Sequence, residues 1–130
     1  MSKTEWTTTD AHFRAFSTEV HRLVRLWGIN DWIVKCAHMR LTDARAQCMT
    51  RVTHRVCTIA LGKVWMPKDG NGDEHFAPTL RDVKETARHE VIHLLLARVQ
   101  DLGTTRFVTE DESTQAIEGL CRHLHDLLPR

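Results

Sequence analysis

Apolar residues recur at helical spacing near the start of the chain, which predicts an amphipathic helix from Asp10 to Trp27. Asp10 is the expected N-cap, and Gly28 stands just past the predicted end. The stripe that would face the core comprises Phe13, Phe16, Val20, Leu23, Val24 and Trp27. Stripes of this kind usually pack against the rest of a domain, so the stripe predicts packing rather than a binding surface.

Two further helices are predicted in the second half, each preceded by a start signal. Thr79 and Asp82 have the spacing of a capping box, so a helix is predicted from about Leu80 to Asp101. Thr109 and Glu112 have the same spacing, and the last helix is predicted to begin after Thr109. Its apolar stripe comprises Ile117, Leu120, Cys121, Leu124 and Leu128.

Between these helical regions, residues 31–65 contain short runs rich in β-branched and apolar residues. Three strands are predicted, at residues 32–34, 48–53 and 56–61, and they are expected to pair antiparallel. Residues 66–78 contain prolines and glycines and are predicted to form a loop. The chain shows no repeat or linker, so one α+β domain is predicted over residues 1–130.

The composition then excludes several classes of protein. The formal net charge is +1, which disfavours strongly basic nucleic-acid binders and proteins that bind anionic membranes. The polar start of the chain and the absence of a long apolar run predict no secretory signal and no transmembrane segment, so a cytoplasmic protein is expected. Four cysteines form no C-x-x-C pair, which disfavours a zinc ribbon or a disulfide scaffold.

Histidine is unusually common, with nine in 130 residues, and two of them form an H-E-x-x-H motif inside the second predicted helix. Positions i and i+4 stand about 40° apart around a helix, so His89 and His93 can bind one zinc ion. Glu90 lies beside them, where it can accept a proton from a zinc-activated water. One turn of helix therefore supplies two metal ligands and a general base.

Catalytic zinc usually has three protein ligands, so a third ligand must come from elsewhere in the chain. The extension H-x-x-G-x-x-H is absent, because Leu96 and Val99 occupy the positions of its glycine and second histidine. The candidates on the last predicted helix are Glu110, Glu112, Glu118, His123 and His125.

Glu118 is the preferred third ligand because it borders the apolar stripe near the middle of the last helix, from where a side chain can reach inward. Glu112 is expected to be engaged with Thr109. Glu110 lies on the stripe but at the first turn, where a carboxylate also gains from the helix dipole. The two histidines are near the end of the helix, where they more often cap or remain exposed.

These motifs resemble the zincin metallopeptidases, and more narrowly the small gluzincin-like proteins of bacterial and phage genomes. The resemblance rests on R-H-E-V-I-H-L-L-L at residues 88–96, and on Glu118, Cys121 and Leu124, which look like the family's E-x-x-V-x-x-L helix. Residues 31–34 and 58–61 look like strands that precede the zinc helix. Ile117 stands where many relatives have a second glutamate, and Cys121 replaces the usual valine, so the identity of the third ligand stays open.

The resemblance implies a zinc-dependent peptidase with a minimal zincin-like fold. His89, His93 and Glu118 would hold Zn²⁺, and Glu90 would take a proton from the zinc-activated water and pass it to the leaving amine. A peptide or protein substrate would lie as an added strand along the sheet edge, expected at residues 58–61. The chain has no tyrosine to stabilise the oxyanion, so the expected donor is His75, Arg88, Arg106 or His125, or water alone.

The alternative is a zinc-stabilised interaction module without cleavage, such as a phage or prophage regulator that binds a host or repressor protein. A purely structural zinc site usually has a fourth protein ligand and needs no general base, so Glu90 favours the peptidase. The near-neutral charge predicts a peptide or protein partner rather than a nucleic acid or a membrane. The pattern favours no particular oligomeric state.

Overall fold

The computed structural model describes residues 6–42, 44–65, 78–104 and 109–130, and it confirms the α+β class. The predicted loop is outside this part of the chain except for its last residue. The elements in chain order are β1 (Trp6–Thr7), α1 (Asp10–Leu26), β2 (Ile33–Met39), β3 (Ala46–Arg51), a short 3₁₀ turn (Val52–His54), β4 (Val56–Gly62), β5 (Val64–Trp65), α2 (Leu80–Thr104) and α3 (Glu110–Leu127). Within the described ranges, no helix has both the length and the apolar character needed to cross a bilayer.

Helix α1 begins at Asp10 as predicted, but its N-cap is Thr9 rather than Asp10. Thr9 has an extended backbone, and its hydroxyl accepts a hydrogen bond from the His12 amide at 3.2 Å. The Thr9 amide in turn donates to Nδ1 of His12 at 2.9 Å. Asp10 is the first helical residue, where its negative charge complements the helix dipole.

The three-stranded sheet is mixed, which corrects the prediction that all three strands are antiparallel. Its order is β2-β4-β3. Strand β4 pairs antiparallel with β3 through a tight connection that ends at Arg55, whose φ of 55° is left-handed. Strand β2 pairs parallel with β4, from Ile33 opposite Val56 to Met39 opposite Gly62. The hydrophobic pattern locates strands but carries no information about which of them occupies the centre.

The predicted substrate edge is also wrong, because residues 58–61 belong to the central strand β4. Burial agrees with this position, since Cys57, Ile59, Ala60 and Leu61 are all fully buried. The edge beside α2 is instead β3. A second sheet pairs β1 with β5 and was not predicted, because two-residue strands are too short to show periodicity.

Helix α2 packs against other elements on two sides. Val83, Ala87, Val91 and Leu94 belong to the main core with α1 and the sheet. A second buried cluster joins α2 to α3 and comprises Ile92, Leu96, Ile117 and Cys121. Both predicted N-terminal signals are confirmed: the Asp82 amide donates to the Thr79 hydroxyl at 3.1 Å, and the Glu112 amide donates to the Thr109 hydroxyl at 3.1 Å.

Candidate metal centre

The two motif histidines, His89 and His93, lie on α2, which contributes residues to both buried clusters. They are one helical turn apart, and both are partly buried. The Nε2 atoms of His89 and His93 are 3.2 Å apart, so both rings present the same nitrogen to one point. The two histidines therefore meet on one face of α2, as their spacing of four residues predicts.

Glu118 of α3 completes a group of three potential ligands. Its Oε1 is 2.7 Å from Nε2 of His93, and its Oε2 is 3.5 Å from Nε2 of His89. One ligand atom from each residue lies within 4.8 Å of the other two. The structure thus brings the preferred third residue to the two histidines from a separate helix.

The other proposed ligands on α3 are placed differently. Glu112 is exposed, and the Thr109 hydroxyl contacts its Oε1 at 3.1 Å. His123 is exposed. His125 contacts Glu85 of α2, with 3.0 Å between its Nε2 and Oε2. The side chain of Glu110 lies outside the described part of the chain.

The geometry of the three residues fits a small tetrahedral cation. With metal bonds of roughly 2.0–2.1 Å, neighbouring ligand atoms of a tetrahedral zinc site are about 3.3 Å apart. The separations of 3.2 and 3.5 Å that involve Nε2 of His89 are close to this value. The third separation, 2.7 Å between His93 and Glu118, is that of a hydrogen bond, so this pair would open slightly around an ion.

Glu90 is buried beside these residues and has an unusual environment. Burial, and to a lesser extent the negative charge of Glu118, raise its pKa to about 7, while a hydrogen bond from the backbone amide of Cys48 on β3 acts in the opposite direction. A carboxyl group with a pKa near neutrality can both accept and release a proton at physiological pH.

His89 is held in the form that binds metals. Burial lowers its pKa, the neighbouring His93 lowers it further, and Glu118 acts in the opposite direction. The imidazole is therefore neutral around pH 7, and a neutral imidazole has the free electron pair that a metal ion needs.

Two clefts meet at the motif. The first, of about 360 Å³, contains His89, Glu90, His93 and Glu118 together with Ala46, Gln47 and Cys48 of β3. The second, of about 480 Å³, shares Ala46, His89 and Glu90 with the first and is also lined by Arg45, Glu85 and His125. Both clefts therefore reach the start of the edge strand β3 at Ala46.

Two of the four proposed oxyanion donors, His75 and Arg106, lie outside the described residues. Arg88 is buried, and its guanidinium donates to backbone carbonyls at the end of α3. His125 borders the second cleft. Its partner Glu85 was not identified from the sequence, although it precedes His89 by one helical turn and so lies on the same face of α2.

Comparisons with profiles of protein families, with curated proteins and with solved structures gave no significant match. The resemblance to zincins therefore rests on the motif residues alone, and the function has to be inferred from the geometry of the centre.

Proposed function

We propose that the protein is a zinc-dependent metallopeptidase in which His89, His93 and Glu118 hold the ion. The observation that carries this proposal is the approach of Glu118, from a separate helix, to both motif histidines at 2.7 and 3.5 Å. Three protein ligands leave the fourth position of a tetrahedral ion available for chemistry, whereas structural zinc sites fill it with another protein ligand. When bound, zinc would supply a Lewis acid that polarises a carbonyl and lowers the pKa of water.

In this proposal Glu90 is the general base. Its pKa of about 7 belongs to the metal-free protein, and a nearby cation would lower that pKa and favour the carboxylate. The Cys48 amide fixes one side of the carboxylate by its hydrogen bond. Glu90 would hold the proton taken from water and transfer it to the nitrogen of the departing amine.

The proposed substrate is a peptide in extended conformation along β3. This strand is hydrogen-bonded to β4 on one side only within the described residues, so its other edge is available for an added strand. Both clefts adjoin the start of β3 at Ala46 and include His89 and Glu90, which gives room for substrate side chains beside the bond to be cut. The proposed substrate-binding edge is therefore that of β3, in place of residues 58–61 of β4.

His125 is the proposed oxyanion-stabilising donor among the described candidates. It borders the second cleft, and its contact with Glu85 at 3.0 Å orients the ring. Because Nε2 faces the Glu85 carboxylate, the hydrogen bond to the oxygen on which negative charge develops would come from the second ring nitrogen, Nδ1. We expect His125→Ala to lower kcat while zinc content is unchanged, and His123→Ala, an exposed histidine of the same helix, to change neither.

Metal content tests the ligand set directly. Protein purified without added chelator should contain about one zinc per chain, and His89→Ala and His93→Ala should lose it. Glu118→Ala should weaken zinc binding, and Glu112→Ala is the matched control because this exposed glutamate is on the same helix. Equal zinc affinity in Glu118→Ala and the wild type would reject the third ligand.

Cleavage of a mixed peptide library, with new termini identified by mass spectrometry, tests the activity. Glu90→Gln should retain zinc and lose cleavage, because the amide cannot accept the proton. Cleavage that persists in Glu90→Gln or after complete chelation would overturn the proposal. Zinc binding without cleavage of any peptide would instead favour the interaction module.

A further inference from the structure

Arg88 is a buried cation whose hydrogen bonds, within the described residues, go to backbone carbonyls rather than to a carboxylate. It is 2% exposed, and three of its nitrogens donate to backbone carbonyls near the end of α3. Its Nε and Nη2 contact the carbonyl of His125 at 3.0 and 2.8 Å. The remaining acceptors are the carbonyls of Leu128 and Pro129. Carbonyls in the last turn of a helix have no partner within the helix and form its negative end, which suits a buried cation.

Trp27, at the end of α1, supports the same arrangement. The guanidinium carbon of Arg88 lies 5.1 Å from the centre of the Trp27 ring, which allows a cation–π interaction. The indole nitrogen of Trp27 also donates to the carbonyl of Pro129 at 3.0 Å. The end of α3 is thus fastened to both α1 and α2.

This attachment determines the position of α3 along the axis of α2. The helices make polar contacts at two levels, Glu85 with His125 and His93 with Glu118, and they run in opposite directions. Glu118 precedes His125 by about two helical turns, roughly 10 Å, so the two side chains share one face of α3. A helix is stiff over this length. Fixing the carbonyl of His125 therefore also fixes the height of Glu118, which here means its position along the axis of α2.

We propose that Arg88 is a positioning residue for the metal centre: by holding the end of α3 it keeps Glu118 at the height of His89 and His93. This inference rests on the proposed function, because it assigns to Arg88 a part in the zinc affinity of that site. Arg88 directly precedes His89, so the residue that fixes α3 and the first ligand are adjacent on α2.

The sign of the effect separates positioning from simple electrostatics. Arg88 is positively charged, so removing its charge near the site would by Coulomb attraction alone strengthen the binding of a cation. Loss of positioning weakens binding, because Glu118 is no longer held at the histidines. Removal of groups that orient metal ligands typically lowers metal affinity about 10- to 100-fold.

The test measures zinc affinity by competition with a chromophoric chelator. Arg88→Met should bind zinc about 10- to 100-fold more weakly than the wild type. Arg130→Met is the matched control: Arg130 is close enough to affect the pKa of Arg88, but its side chain contacts Glu85. We expect this control to bind zinc like the wild type. Arg88→Lys keeps the charge but lacks the planar fork, and should have intermediate affinity.

The same substitution in a Glu118→Ala background shows whether Arg88 acts through Glu118. There Arg88→Met should change the affinity by less than about twofold, because the group it positions is already absent. The absorption spectrum of the Co²⁺-substituted Arg88→Met protein should match that of Glu118→Ala. Wild-type affinity in Arg88→Met, or an equal loss in both backgrounds, would overturn the inference.

Hydrogen exchange of the metal-free protein tests whether Arg88 fixes α3 without any measurement of zinc binding. Amides of α3 should exchange faster in Arg88→Met than in Arg130→Met, and equal protection would overturn the role of Arg88. If the wild type binds no zinc, the proposed function fails while the exchange result still decides whether Arg88 fixes α3. If Arg88→Met does not fold, Arg88→Lys takes its place in each comparison.

Discussion

Replacing Glu90 by Gln should stabilise the metal-free protein at alkaline pH. The native environment raises the pKa of Glu90 from 4.5 to about 7. Ionisation of this carboxyl group therefore lowers the free energy of unfolding. A shift of this size corresponds to about 3 kcal/mol. Gln has the same shape, carries no charge, and its carbonyl can still accept the hydrogen bond from the Cys48 amide.

The pH dependence follows from the direction of the shift. Between about pH 4.5 and 7 the unfolded carboxyl group is ionised while the folded one is still protonated, so the folded state binds more protons. The contribution of Glu90 to stability is therefore full below this window and is lost as the pH rises through it. We expect Glu90→Gln to exceed the wild type by about 2–3 kcal/mol at pH 8 and by less than about 1 kcal/mol at pH 5.

Urea unfolding of both proteins in the presence of a chelator measures this difference. Equal stability at pH 8, or the same difference at both pH values, would refute the assignment of the raised pKa to burial of Glu90. With saturating zinc the advantage of Gln should shrink, since a cation beside the carboxylate favours its charged form.

Three further substitutions test the packing by thermal or urea unfolding. Gly62→Ala should destabilise by about 1–3 kcal/mol, because its Cβ would lie 2.9 Å from the backbone oxygen of Arg45; unchanged stability would contradict the close approach. Gly119→Ala in α3 should stabilise by about 0.5–1 kcal/mol, because nothing lies within 4 Å of the added carbon; any loss would contradict this. Thr79→Ala should cost about 1 kcal/mol through loss of the hydroxyl that accepts the Asp82 amide, whereas Thr86→Ala, within the helix, is the control.

The helices were predictable because their signals are local. The Thr79 and Thr109 caps act within three residues, and the apolar spacing that follows them repeats over several turns. Helix α1 shows where such signals are ambiguous, since Thr9 and Asp10 are both good capping residues. The extended backbone of Thr9 shows that it is the N-cap, and the residue type alone does not reveal that conformation.

The sheet order could not be predicted because it depends on contacts between distant residues. Strand β2 is parallel to β4 and separated from β3, although β3 follows it directly in sequence. For the same reason, the prediction that residues 58–61 form the open edge of the sheet was wrong, because these residues belong to the central strand β4. The proximity of the three candidate ligands was easier to predict, because one helical turn separates His89 from His93 and Glu118 borders an apolar stripe.

The division of the ligands between two helices also bears on how long the protein persists. An ion bound by His89, His93 and Glu118 would cross-link α2 to α3, and a ligand that binds only the folded state stabilises it by about 2.7 kcal/mol when present at 100 times its Kd. Without the ion, α3 would detach from α2 more often and expose its backbone to proteases. Zinc supply would then set the lifetime of each molecule as well as the activity that we propose for it.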